Sequence, residues 1–167
     1  MTPPRWSTTP MRIQGTTMIE FVIVIVTLLI VLFGVLDLSR VTYLRMTMEE
    51  GVRRSARLAA VCPINSTLPR KAAVFADPAA QAASIPGATL DNVEIEYLNA
   101  SGAPVNPTTD FTSIRFVRVS IEGVSVPLFI PFVTGVFAPT NVSSTTAAES
   151  LGILPTNTPP VPRPPCD

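Results

Sequence analysis

The sequence predicts an α+β protein: a long N-terminal helix, membrane-embedded in its first half and amphipathic in its second, packed against a small antiparallel β-sheet. Three observations predict it. An almost unbroken apolar run from Phe21 to Leu36 continues, with no proline before Pro63, into apolar residues at helical spacing. Val93, Ile95 and Tyr97 alternate with Glu94 and Glu96, the period of a half-buried strand. Eighteen prolines against eight glycines divide the rest of the 167 residues into short, stiffly connected pieces. The expected organisation is a leader over 1–15, a membrane helix over 16–38, its amphipathic continuation over 39–61, a folded head over 62–154 and a Pro-rich tail over 155–167.

Composition narrows the function before any motif is read. The formal net charge is zero, so no long-range field attracts nucleic acid. There is no histidine, which removes the commonest general base, the commonest metal ligand and every Ser-His or Cys-His nucleophile. Two cysteines cannot form a structural zinc site alone. No Gly-x-Ser-x-Gly elbow occurs. We therefore expect no catalytic residue, no metal, no cofactor and no small-molecule substrate.

The first element is the span. Phe21–Leu36 is interrupted only by Thr27 and Gly34. With Thr16 to Ile19 and Leu38 it reaches about the 30 Å of a bilayer core. Glu20 then sits near one interface and Asp37 near the other. A carboxylate within a span costs on the order of 2.5–3.5 kcal/mol at a helix centre and less toward its ends, so Glu20 needs a use. A secretory signal peptide would end in a small-x-small cleavage site, and Val35-Leu-Asp-Leu-Ser-Arg40 has none. A plain signal anchor explains the hydrophobicity but neither Gly15 nor Glu20. Arg5 and Arg12 before the span place that end in the cytoplasm, whereas Arg40 and Arg45 argue the reverse.

The helix should run on from Asp37 to Val61. Leu38, Val41, Leu44, Met48, Val52, Ser55 and Ala59 form a narrow stripe for the head. Glu49–Arg53 and Glu50–Arg54 are four apart with the acid first, the favourable order. Gly51 costs somewhat under 1 kcal/mol relative to alanine. Cys62-Pro63 stops the helix, because proline pushes the preceding residue out of the α region. Arg53, Arg54 and Arg57 read as a solvated face, or else as a contact for lipid headgroups or an acidic partner.

Glycine, four residues, glutamate and then a hydrophobic helix is the processing and assembly signal of type IV pilins. Gly15-Thr-Thr-Met-Ile-Glu20-Phe21, Gly34-Val-Leu-Asp37-Leu-Ser-Arg40 and Val52-Arg-Arg-Ser-Ala-Arg57-Leu-Ala-Ala60 together resemble the TadE-like pseudopilins of the tight-adherence (Tad, or Flp pilus) machinery. Two positions depart from the family pattern: Val26-Thr27 stands where many members have proline, and Ser55 replaces the glycine of the helix-end motif.

The resemblance implies a pilin-like α+β fold and cleavage by prepilin peptidase between Gly15 and Thr16. It implies a single-pass protein of the bacterial inner membrane with its head in the periplasm. Its partners would be the inner membrane, other pilins or pseudopilins, and the Tad assembly platform. Glu20, Phe21, Asp37 and Arg40 would belong to the assembly helix. The new amino terminus of one subunit would neutralise Glu20 of its neighbour, a pairing that removes the desolvation penalty only in register. A pseudopilin of a general secretion or type IVa system fits Thr17-Met-Ile-Glu20 equally but leaves Arg57-Leu-Ala-Ala60 unexplained. An anchored periplasmic binding domain is the alternative of a different class.

In the head, a short helix is expected near Arg70 to Ala80. Strands are expected over 93–97, 114–121 and 136–148. The apolar phase switches between Phe116 and Val117, which implies burial on both faces or a β-bulge. Glu94 and Glu96 fall on the solvent face. Pro127 to Phe137 is unusually apolar for a connection: either Leu128, Phe129, Ile130 and Phe132 fill the core, or the segment is an exposed patch for a neighbouring pilin or the membrane surface. Cys62 and Cys166 form the one intrachain disulfide the composition permits, with an intermolecular bridge or free thiols as alternatives. Asn65-Ser-Thr67, Asn99-Ala-Ser101 and Asn141-Val-Ser143 match a glycosylation pattern that arises often by chance and that matters only in a eukaryotic secretory pathway.

Overall fold

The computed structural model describes residues 14–76, 83–131, 133–153 and 166. The leader over 1–13 and most of the Pro-rich tail lie outside the described residues, as does Phe132. The chain is α+β. Helix α1 runs unbroken over Gln14–Val61, 48 residues or about 72 Å. Its apolar portion is long enough to cross a membrane; the most hydrophobic 18-residue window has mean hydropathy 3.1 and none of it is buried by the head. The hydroxyl of Thr27, the one polar side chain in the Phe21–Leu36 run, donates to the carbonyl of Ile23 at 2.8 Å. The helix thus satisfies this hydroxyl within itself.

The buried face of α1 begins at Leu44 and continues through Met48, Val52, Ser55 and Ala59, as the spacing predicts. Leu38, expected in that stripe, is instead 68% exposed, and Asp37 turns inward in its place at 4% exposure. Asp37 lies seven residues before Leu44, two turns down the same face, so the geometry of the stripe holds and only its apolar character changes. Glu49 does not pair with Arg53: Arg45 Nε meets Glu49 at 3.2 Å, while Arg54 Nε meets Glu50 at 2.8 Å as expected.

Helix α2, Leu68–Ala73, is shorter than the predicted 70–80, and 77–80 fall outside the described residues. It crosses α1 at Gly51 and Ser55. A Cβ on Gly51 would overlap the carbonyl oxygen of Ala73, so this glycine is needed for close approach. The Ser55 hydroxyl, fully buried, donates to the Pro69 carbonyl at 2.7 Å.

Strands β1 (Val93–Leu98), β2 (Phe116–Ile121) and β5 (Val142–Ala147) form an antiparallel sheet in the order β1-β2-β5. Pairing is one-to-one from Val93↔Ile121 to Leu98↔Phe116, so the phase switch is not a bulge. Val117, Val119 and Ile121 face α1, and Phe116 is on the outer face at 38% exposure. The core-facing residues opposite them on β5 are Thr146, Ser144 and Val142. The predicted third strand, 136–148, splits. Its first two residues, β4 (Val136–Phe137), pair with β3 (Val126–Pro127) in a separate ribbon. Pro139, which has no N–H for a ladder, separates β4 from β5. On the outer face of the sheet, Glu96 of β1 meets Arg118 of β2 at 3.4 Å.

The end of α1 is closed by a distant segment. Glu149 and Leu151 donate their backbone N–H to Ala60 O at 3.1 and 3.2 Å, and Gly152 donates to Val61 O at 2.7 Å. These bonds satisfy carbonyls that a helix terminus leaves unpaired. Gly152 adopts φ +82° and its hydrogen faces Pro63, where a Cβ would approach Cγ to 2.6 Å. At the same place Cys62 and Cys166 are joined by a disulfide, with Cα atoms 5.8 Å apart. The Ser66 hydroxyl donates to the Cys166 carbonyl.

Candidate membrane-anchoring and assembly surface

The candidate surface is α1 below the head together with the ribbon that meets it. Gly15 and Thr16, the expected cleavage pair, lie in the first turn of α1. Glu20 and Phe21 follow on a helix exposed all round through Leu32, apart from half-buried Val26. Helical propagation through this stretch satisfies every backbone bond internally, which offsets the weaker helix propensity of its many Val and Ile side chains.

Asp37 and Arg40 are brought together with a segment far away in sequence. Asp37 Oδ2 accepts the backbone N–H groups of Phe129 at 2.8 Å and Ile130 at 3.1 Å. Its Oδ1 accepts from Arg40 at 3.2 Å. The Arg40 guanidinium lies 4.0 Å from the centre of the Phe129 ring, a cation–π contact. One carboxylate thus holds the tip of the β3–β4 ribbon against the top of the span. An apolar cleft of about 120 Å³ opens beside this clasp, lined by Tyr43, Leu44, Ile85, Val126 and Leu128 among others.

Sequence alone places Asp37 and Arg40 on the assembly helix and does not connect them to 127–137. Two signals mark that connection: Asp37 continues the buried stripe by two turns, and no charged residue occurs between Glu122 and Glu149. The core-filling alternative fails for Phe129 and is only half met by Leu128 and Ile130, while Phe132 lies outside the described residues. Leu128 and Ile130 are only half-buried and Phe129 is 58% exposed, because the Asp37 clasp holds the tip below the sheet. The patch alternative matches these exposures.

Electrostatics elsewhere on α1 is local. The hydrogen bond from Arg54, with the charges of Arg54, Arg53 and Arg57, holds the Glu50 carboxyl below its ordinary range. In the core, burial pushes the Tyr97 phenol up, against a smaller opposing effect of Arg70. Among the described residues no cluster of His, Cys, Asp or Glu could hold a metal ion.

A single apolar helix long enough to cross a membrane, continuing as the spine of a small α+β head, fits a single-pass membrane protein. Residues 15–57 match the family model described as TadE-like protein. That match covers the span and the α1 side of both the Asp37 clasp and the α2 crossing, most of the region that carried the resemblance in the sequence. No curated protein and no solved structure matches the chain.

Proposed function

We propose that this chain is a minor pilin, or pseudopilin, needed for assembly of a Tad (Flp) type IV pilus. Prepilin peptidase removes residues 1–15 after Gly15, and α1 holds the product in the inner membrane with its head in the periplasm. The protein acts by helix packing and has no chemistry of its own. Glu20 guides docking, and Phe21 to Leu36 packs against other pilin helices at the assembly platform. The observation that carries this reading is the TadE-like match over 15–57, which falls on the continuous rod and not on the head. Exposure of the apolar span supports it, since that surface is available to helices as well as to lipid.

Mass spectrometry of the N-terminus, with and without the cognate peptidase, tests it. A chain beginning at Thr16 only when the peptidase is present supports the proposal. A chain that keeps its leader, or a cut after the apolar run, overturns it.

A further inference from the structure

We propose that the tip of the β3–β4 ribbon is a second membrane contact, an apolar foot that rests in the lipid interface beside α1. The inference relies on α1 crossing the bilayer, as proposed above.

Position is the first argument. The ribbon is anchored in the head core by buried Val126, while Phe129 and Ile130 hang from Asp37. Asp37 directly follows the apolar run and lies two turns, about 10 Å, below Leu44, where the head begins. The tip is therefore at the depth of the interface.

Side-chain chemistry is the second. Phe129, Val133, Val136 and Phe137 are 58%, 48%, 70% and 38% exposed. Such exposure wastes apolar area in water and gains it in lipid. Arg40, stacked on Phe129, is the type of side chain that keeps its stem in the apolar layer and its head among phosphates.

Backbone chemistry is the third, and it permits burial in lipid. Lipid demands that polar backbone groups be satisfied internally. Pro127 and Pro131 have no N–H. Leu128 donates to Gly135 O at 3.1 Å and Val133 to Ile130 O at 3.2 Å. Phe129 and Ile130 donate to Asp37. Every described backbone N–H from 127 to 131, and that of Val133, thus has an internal acceptor or does not exist.

The test uses the full chain in phosphatidylglycerol–phosphatidylethanolamine vesicles at high dilution in lipid. Trp6, the one native tryptophan, is replaced by Phe, and single tryptophans are placed by Phe129→Trp, Leu28→Trp and Phe116→Trp. Phe129 is exposed, so the larger ring fits and still stacks under Arg40. Phospholipids brominated near the glycerol end and, for position 28, near the methyl end of their acyl chains, together with aqueous iodide, serve as quenchers. We expect the Phe129→Trp chain to shift its emission to the blue and lose it to the brominated lipid. The Leu28→Trp chain should do likewise, and the Phe116→Trp chain, with its probe on the outer sheet face, should lose emission to iodide alone. If position 28 is quenched by lipid but 129 by iodide, the foot is overturned and the span stands. If 129 is shielded from both quenchers, a protein surface covers it and the foot is likewise overturned. If neither 28 nor 129 responds to lipid, the span itself fails and the foot falls with it.

Discussion

Asp37 does two jobs with two oxygens: one accepts a pair of backbone N–H groups and the other an arginine. Asp37→Ala should free the ribbon tip. An unsatisfied buried polar group costs about 1–3 kcal/mol. The amides of Phe129 and Ile130 should then exchange with solvent faster in the variant than in the parent chain, with core amides such as Val119 unchanged, as read by hydrogen-exchange mass spectrometry. Tyr97 gives a second residue-scale outcome. Burial favours its neutral form, so its contribution to stability is complete below the ordinary tyrosine pKa of about 10 and is lost as pH rises through the higher folded value. Alkaline titration at 295 nm should show one phenolate appearing above the ordinary range, and the denaturant midpoint should fall over the same interval.

At the scale of elements, much of the helix and the sheet was legible in the sequence. The α1 stripe could be read because Leu44, Met48 and Val52 are apolar and evenly spaced; its lowest member could not, because Asp37 looks like a solvent residue until a partner supplies donors. Strands β1 and β2 showed their alternation, yet the phase at Phe116 misled, since Ile114 is buried just outside the strand and Phe116 is on the outer face within it. The third strand reads too long because Thr- and Val-rich sequence continues across Pro139. The seam between α1 and α2 is hidden in small residues: Gly51 reads as a helix weakness and Ser55 as a departure from a motif. Both make room for α2. Beyond these, the Cys62–Cys166 bridge ties the element following Val61 to residue 166. Cys166→Ser should lower stability by up to about 4–5 kcal/mol on a chain-entropy estimate for so long a loop. The guanidinium midpoint of the detergent-solubilised variant should fall below that of the parent, and reducing the parent should bring its midpoint down to the variant's.

Taken whole, the molecule is a rod with a head seated on its upper half, and its two ends present different surfaces. The head contributes the sheet, while the exposed lower rod is where subunits would meet. Glu20→Ala should therefore leave insertion and head stability unchanged but abolish co-purification with the other pilins after crosslinking in membranes. Loss of insertion in that variant would instead mean that Glu20 acts before assembly.

The cap on α1 also sets an order in time. The helix can coil as soon as its residues are together, whereas the carbonyls of Ala60 and Val61 are met only by residues 149–152, and the sheet must close between the two. Contacts so distant along the chain form late, after their loop entropy has been offset by nearer ones. The upper rod should thus spend the early life of each new molecule with its terminus frayed, firming only once Gly152 has folded back onto it.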